Sequence, residues 1–271
     1  MTAPRVATPA RASLPKFAGS GFQPRDRCVP IGFSGQILER LNARFSLLRS
    51  VPRGAALFQI GDPFEALYAV RSGFFKTRVA CPDRRDQVTG FQMPGDMLGL
   101  DGIGIGSHCC DAVALEDSQV CVMPYDQLEQ LSGQCSELQH QLHKLMGSEI
   151  AREQSVMLLL GNTRADERLA AFLLNLSARF EARELPPSKL VLRMTRDEIG
   201  SYLGLKLETV SRCFSKLHDE GVLQVKHRHI RIFDADALAS LVSRAARQRP
   251  DGTDSSLAKA PPIHAGATAA P

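Results

Sequence analysis

Residues 195–233 read TRDEIGSYLGLKLETVSRCFSKLHDEGVLQVKHRHIRIF, and this stretch decides the C-terminal fold. Thr195 followed three positions later by Glu198 has the form of a capping box and starts a short helix. Ile199 and Leu203 share one face of it, and Gly204 supplies a turn. A second helix follows over Glu208–Leu217, with Val210, Phe214 and Leu217 as its inward stripe. Its other face presents Glu208, Thr209, Ser211, Arg212, Ser215 and Lys216. Two short helices around a glycine turn, the second polar and bearing an arginine, form the helix-turn-helix pattern. Glu can accept from cytosine N4, and Arg can fork onto guanine O6 and N7. After Gly221, Leu223, Val225, Ile230 and Ile232 alternate with polar residues around the basic tip Lys226-His227-Arg228-His229, a hairpin placed to meet phosphate. Lys206 and Arg196 add cations near the starts of the two helices.

Charge supports a polyanion partner for this part of the chain. The 271 residues carry a net +4. Residues 1–160 hold 16 basic and 16 acidic side chains, residues 161–247 hold 15 and 11, and residues 248–271 hold 2 and 2. The whole excess therefore sits in 161–247.

Working towards the N-terminus, Ala165–Phe180 predicts a helix with Leu169, Phe172, Leu173 and Leu176 on one face. Before it, ELQHQLHKLMGSEIAREQSVMLLL (137–160) predicts a long helix. Met146, Ile150, Glu153, Met157 and Leu160 recur at a 4-3-4-3 spacing there, a heptad seam suited to pairing with a second copy. Glu153 on that seam would face its own copy, and like charges weaken such a pair. Between residues 50 and 125, Gly, Pro and Asp turns punctuate the strand-like runs Ala66–Val70, Phe74–Val79, Val88–Gln92 and Gln119–Met123, which predicts an antiparallel sandwich or roll. The glycines at 95, 99, 102, 104 and 106 do not form a dinucleotide-binding fingerprint and read as turn positions. Residues 1–27 and 248–271 read as disordered.

Composition narrows the class. At 44% hydrophobic and 23% charged, the chain is neither wholly disordered nor a disulfide scaffold. No apolar run approaches the ~18 residues of a membrane span, and residues 1–17 lack the apolar centre of a secretory leader. Seven irregularly spaced cysteines fit cytosolic thiols or ligands. No histidine is placed with Cys28 or Cys121 as a nucleophile–base pair, so an enzyme is not expected.

The stretches LYAVRSG (67–73), QVTGFQMPGDMLGLDGIG (87–104), ERLAAFLLNLSARF (167–180) and MTRDEIGSYLGLKLETVSR (194–212) resemble the CRP/FNR superfamily of bacterial transcription regulators, and within it the oxygen-responsive FNR type. The resemblance spans residues 28–242. It implies an α+β fold: an N-terminal cyclic-nucleotide-binding-like β-roll (28–133), a dimerisation helix (134–160) and a C-terminal winged helix-turn-helix (161–247). It implies a cytoplasmic homodimeric activator that reads an inverted repeat near TTGAT…ATCAA. Glu208, Ser211 and Arg212 match the family's E-x-x-S-R reading pattern. RNA polymerase is the implied partner of the Cys81–Gln87 loop. Lys206 stands where the family usually has a hydroxyl residue, which alters a phosphate contact or the helix cap.

The sensing chemistry is less fully matched. Cyclic-nucleotide receptors of the family hold ribose with a Glu and phosphate with an Arg-Ser pair. Here Leu100 follows Gly99, and the later segment is Ser107-His108-Cys109-Cys110, so a phosphodiester lacks its cation. FNR-type sensors hold an iron–sulfur cluster on four cysteines. Cys28 and Cys121 match two of these, while Gly19 and Phe22 stand at about the other two positions and cannot ligate iron. Three readings follow. Cys109, Cys110 or another thiol completes an altered cluster, or Cys28 and Cys121 form a thiol switch, or the thiols are inherited and the signal is different. A regulator gated by a small ligand other than cyclic AMP is the alternative to oxygen or redox control.

Overall fold

A computed structural model describes residues 35–80 and 86–247. The expected disordered ends 1–27 and 248–271, Gly19, Phe22, Cys28 and Cys81 lie outside the described residues.

The N-terminal unit opens with α1 (Gly35–Arg44). Eight strands follow: β1 (Leu48–Val51), β2 (Ala56–Phe58), β3 (Ala66–Ser72), β4 (Phe75–Ala80), β5 (Asp86–Gln92), β6 (Met97–Leu98), β7 (Asp111–Ala114) and β8 (Ser118–Pro124). They form two antiparallel four-stranded sheets, ordered β1-β8-β3-β6 and β2-β7-β4-β5. The strand-like runs read from sequence fall on β3, β4, β5 and β8, with Phe74 one residue ahead of β4. β1, β2, β6 and β7 were not legible because each has only two to four residues, too few to show a period.

Val51, Phe58, Tyr68, Val70, Phe75, Ala112, Ala114 and Val120 belong to the cluster buried within the roll. Leu67, Ala69, Met97, Cys121 and Met123 belong to a second cluster with Ile37, Leu41 and Phe45. Successive side chains of a strand point to opposite faces, so the sheet carrying β3 and β8 is buried on both. That is why Ala66–Val70 reads as an unbroken apolar run rather than an alternating one.

α2 (Tyr125–Gly133) and α3 (Ser136–Asn162) close the second cluster through Leu128, Leu138 and Leu145. At 27 residues, α3 is ~40 Å long. Past residue 145 three of its apolar side chains lack cover: Ile150, Met157 and Leu158 are 56%, 69% and 65% exposed.

The C-terminal unit comprises α4 (Ala165–Glu181), β9 (Lys189–Val191), α5 (Arg196–Leu203), α6 (Leu207–Asp219), β10 (Leu223–Lys226), β11 (His229–Ile232) and α7 (Ala235–Arg247). Leu169, Leu173, Ile199, Val210, Leu217, Leu223 and Ile230 form its core. The predicted hairpin gains β9 as a third strand, paired through Ile230↔Leu190. Lys226 and His229 pair within the hairpin, which narrows the tip to His227 and Arg228.

Candidate nucleic-acid interface

The turn between α5 and α6 is fixed by three local devices. The Thr195 hydroxyl accepts from the Glu198 amide at 3.1 Å, and the Glu198 carboxylate accepts from the Thr195 amide at 2.6 Å, completing the capping box. Gly204 takes the left-handed conformation, with φ 62°, that ends α5. At Gly200 any Cβ would lie 2.6 Å from the Leu205 carbonyl oxygen, so only glycine lets the chain turn this closely. Arg196 lays its guanidinium 3.5 Å from the centre of the Phe214 ring and so braces α5 on α6. Burial pushes Arg196 down to about 10, which leaves it charged at neutral pH.

On α6 the stripe Val210, Cys213, Phe214 and Leu217 is buried. Glu208, Arg212, Ser215 and Lys216 are exposed, and Thr209 and Ser211 are half-buried. Arg212 donates to the Thr209 hydroxyl at 3.4 Å, a contact within its own helix. Lys216 is paired with Asp166 of α4 at 2.8 Å. Burial raises the Asp166 carboxyl, but Lys216 and Arg164 outweigh it and hold it below its ordinary range. Arg164, Asp166, Thr209, Arg212, Cys213 and Lys216 line a notch of about 370 Å³ between the start of α4 and the side of α6. Lys206 caps α6 without a side-chain hydrogen bond.

At the hairpin tip His227 adopts a left-handed φ of 56°, and Lys226, His227 and Arg228 are exposed. The structure thus places Glu208, Thr209, Ser211, Arg212 and Lys216 on one helix, with Lys206 at its start and Lys226 and Arg228 on the neighbouring hairpin. Arg196 faces Phe214 rather than open solvent.

The seam residues sit on α3. Ile150, Glu153 and Met157 are exposed, and Met146 is half-buried. Leu160, also half-buried, lies beside Gly204, where its Cδ2 is 3.5 Å from the place a Cβ would occupy.

The cysteines are not gathered. Cys121 on β8 is fully buried, and its thiol donates to the Phe45 carbonyl at 3.4 Å. Cys110 belongs to the other cluster, inside the roll. Its thiol contacts Asp101 at 3.6 Å, and burial, with the Asp101 charge, pushes it up to about 12. Cys109 is exposed, and its amide donates to Asp101 at 2.8 Å. Among the described residues no group of three His, Cys, Asp or Glu side chains is placed to hold a metal. Among the described residues, Cys121, Cys110 and Cys109 are divided between two separate buried clusters and the surface, and do not share one site. The segment Ser107-His108-Cys109-Cys110 buries His108, stacked 3.6 Å from the Phe58 ring centre.

Sequence reasoning missed the half-buried and buried polar groups that hold this site in place. Arg168 on α4 donates to the carbonyls of Thr163, Leu203 and Leu160 at 3.0, 3.0 and 2.9 Å. Asp96, Arg179 and Arg183 meet between the roll and α4. An arginine on an amphipathic helix reads as a solvated residue, and nothing local marks these as buried.

A winged helix-turn-helix with an open reading face, attached to a β-roll by a long helix, defines a DNA-binding transcription regulator. Residues 167–241 match the Crp-like helix-turn-helix domain, and residues 48–135 match the cyclic nucleotide-binding domain. The chain is 42% identical over 217 residues to the transcriptional regulatory protein btr of Bordetella pertussis, covering 80% of this chain and 90% of that one. It is also 42% identical over 214 residues to the fumarate and nitrate reduction regulatory protein of Salmonella typhimurium, covering 79% and 86%. The structure of FixK2 from Bradyrhizobium japonicum superposes with a TM-score of 0.67 at 32% identity, covering 72% of this chain and 96% of that one. The chain belongs to the CRP/FNR family of transcription regulators. Among the described residues no helix is long and apolar enough to cross a membrane.

Proposed function

We propose that the chain is an FNR-type cytoplasmic regulator that binds an inverted-repeat DNA site as a homodimer and answers to oxygen or redox state. The observation that carries the reading is the open face of α6, where Glu208, Ser211 and Arg212 stand in the E-x-x-S-R order with their helix braced from behind. Glu208 and Arg212 read base edges, while Lys206, Lys226 and Arg228 contact phosphate and set the salt dependence. The bare ridge of Ile150, Met157 and Leu158 supports pairing along α3, with Glu153 keeping the pair weak. Activation runs through RNA polymerase at the connection from β4 to β5; Asp86 and Gln87, expected in that loop, belong to β5, and Gln87 bonds to Ser201 of α5, so they are not part of the contact.

The redox reading rests on the FNR-type relatives and on the thiols of Cys28 and Cys121 rather than on a four-cysteine cluster. The test measures affinity for a TTGAT…ATCAA duplex and for a scrambled duplex, with protein kept free of oxygen and again after air, for the wild type and Cys121→Ser. Preference for the inverted repeat that falls in air, and a Cys121→Ser variant that ignores air, are expected. Equal binding to both duplexes overturns the DNA reading. Preference that is blind to air overturns the redox reading.

One observation favours a second signal, a small ligand other than cyclic AMP. Residues 48–135 match the cyclic nucleotide-binding domain, yet the segment Ser107-His108-Cys109-Cys110 carries no arginine and buries His108 against Phe58. Such a ligand would change DNA affinity equally with and without air.

A further inference from the structure

One crossing joins α3 to α4, and by itself it fixes no orientation. Thr163 and Arg164 are both extended, with φ/ψ of −122°/154° and −75°/162°. Two extended residues interrupt the helix between α3 and α4, so contacts outside the helix set the angle of α4 and of everything after it. Arg168 staples the near end of α4 to that interruption through Thr163 and Leu160. The far end needs a different hold.

That hold is Asp96. It closes the turn Met93-Pro94-Gly95-Asp96, where Gly95 has φ 93° and the Asp96 amide donates to the Met93 carbonyl at 3.0 Å. Its carboxylate accepts from the Met93 amide at 2.8 Å, and its own carbonyl accepts from Val70 of β3 at 2.9 Å. The carboxylate is therefore aimed by the roll. Arg183 meets it from the C-terminal unit at 2.6 Å, and Arg179 pairs with its other oxygen. The same two guanidiniums reach roll carbonyls, Arg183 to Pro94 at 2.7 Å and Arg179 to Phe91 at 2.9 Å. Side-chain exposures are 12%, 10% and 4% for Asp96, Arg179 and Arg183. Burial alone raises the Asp96 carboxyl, yet Arg179, Arg183, the Met93 amide and Arg152 of α3 hold it below its ordinary range. A buried ion group of this kind is a poor source of stability, because desolvation offsets the attraction. Its planar forks do impose direction, which the surrounding apolar contact of Phe91 with Phe172 and Tyr202 does not. A second point of contact lies on α5. The Ser201 hydroxyl accepts from the Val88 amide at 2.8 Å and donates to the Asp86 carbonyl at 2.9 Å, and Lys76 pairs with Glu198 at 2.7 Å.

We propose that Asp96 is a positioning residue for DNA binding. Through Arg179 and Arg183 it fixes the angle of the winged helix on its own roll. In the dimer it thereby fixes the separation of the two α6 helices and the half-site spacing the protein accepts. This rests on the reading of the chain as a dimer on an inverted repeat. Two reading helices must enter the major groove about one helical turn apart, ~34–36 Å. One added base pair displaces a half-site along the axis and around it, and a head that can swivel follows the change while a clamped head cannot.

The test uses the full chain and a set of duplexes. Two TTGAT half-sites face each other at the spacing that binds tightest, and at one base pair more and one fewer. A further duplex keeps the best spacing but carries one symmetric base change in each half-site. For the wild type, changing the spacing costs roughly tenfold or more in affinity, comparable to a mismatched base pair. Asp96→Asn is expected to bind the best spacing several-fold more weakly and to lose most of the spacing penalty. Its penalty for the base change stays as in the wild type, which general destabilisation would not produce. Ser201→Ala is expected to shift the spacing ratio in the same direction by less, and it serves if Asp96→Asn fails to fold. A folded Asp96→Asn with the wild-type spacing ratio overturns the proposal. So does an unchanged ratio in Ser201→Ala where Asp96→Asn does not fold. If wild-type protein shows no preference for paired half-sites at any spacing, the dimer reading itself fails. That result is separate from a wild type that discriminates spacing alongside variants that do so equally well.

Discussion

α5 and α6 are adjacent amphipathic helices in one motif, and their polar faces meet different fates. On α5, Glu198 is paired with Lys76 of the roll and Ser201 bridges two roll backbone groups. On α6, among the described residues, Glu208, Ser211, Arg212 and Ser215 make no such contact with the roll, and Arg212 donates to Thr209 of its own helix. The first helix is the motif's attachment to the β-roll, and the second is left open for a partner outside the molecule. A polar helical face is thus one pattern with two uses, and what lies opposite decides between them.

Four measurements break or sharpen that contrast, taken from the largest expected effect down. Leu217→Ala removes a fully buried anchor behind the reading face, and a loss of ~2–5 kcal/mol in urea unfolding is expected. A loss below ~1 kcal/mol would mean that α6 is not braced by its stripe. Arg212→Ala should cost ~1–3 kcal/mol on the matched duplex in a fluorescence anisotropy titration and little on random DNA. Its unfolding midpoint should stay unchanged, since Arg212 is exposed. Equal losses on both duplexes would remove it from base reading.

Glu198→Gln tests the attached helix through pH. Burial raises the Glu198 carboxyl, but Lys76 and the Thr195 amide outweigh it and hold it below its ordinary value of 4.5. A depressed carboxyl contributes stability that is fully present above the unfolded value and is lost as pH falls through the folded one. The difference in urea midpoint between wild type and Glu198→Gln should therefore be constant from neutral pH to about pH 5 and shrink below it. A difference that grows on acidification would contradict the pairing with Lys76. Last, Lys206 caps α6 without a side-chain bond, so Lys206→Ser should stabilise the protein by roughly 0.5–2 kcal/mol, read as a higher melting temperature. No gain would mean that the Lys206 stem packs well enough to replace a cap.

Much of the site was legible because it is built from short-range rules. The capping box at Thr195 and Glu198, the Gly204 turn and the stripe of Val210, Phe214 and Leu217 each follow from residues within one or two turns of one another. Gly200 carried a signal too, since a glycine inside a capped helix demands a reason, and the close approach of Leu205 supplies it. Cys121 shows the opposite case. Its position in the chain resembles that of a ligand, and β8 places it against Leu41 and Phe45, which no local pattern shows. Only the pairing of β8 with β1 and β3 fixes that direction.

The helix-turn-helix is written in neighbouring residues: helix periods, capping residues, turn glycines and a basic final unit survive without tertiary contact. Only the tertiary structure decided which charges are structural. Asp96 lies 83 and 87 residues from Arg179 and Arg183, and Lys76 lies 122 from Glu198. No periodicity extends across such distances. Whether a charged side chain meets water, DNA or a buried counter-charge depends on how separate elements pack, and the polar pattern along the chain is the same in all three cases.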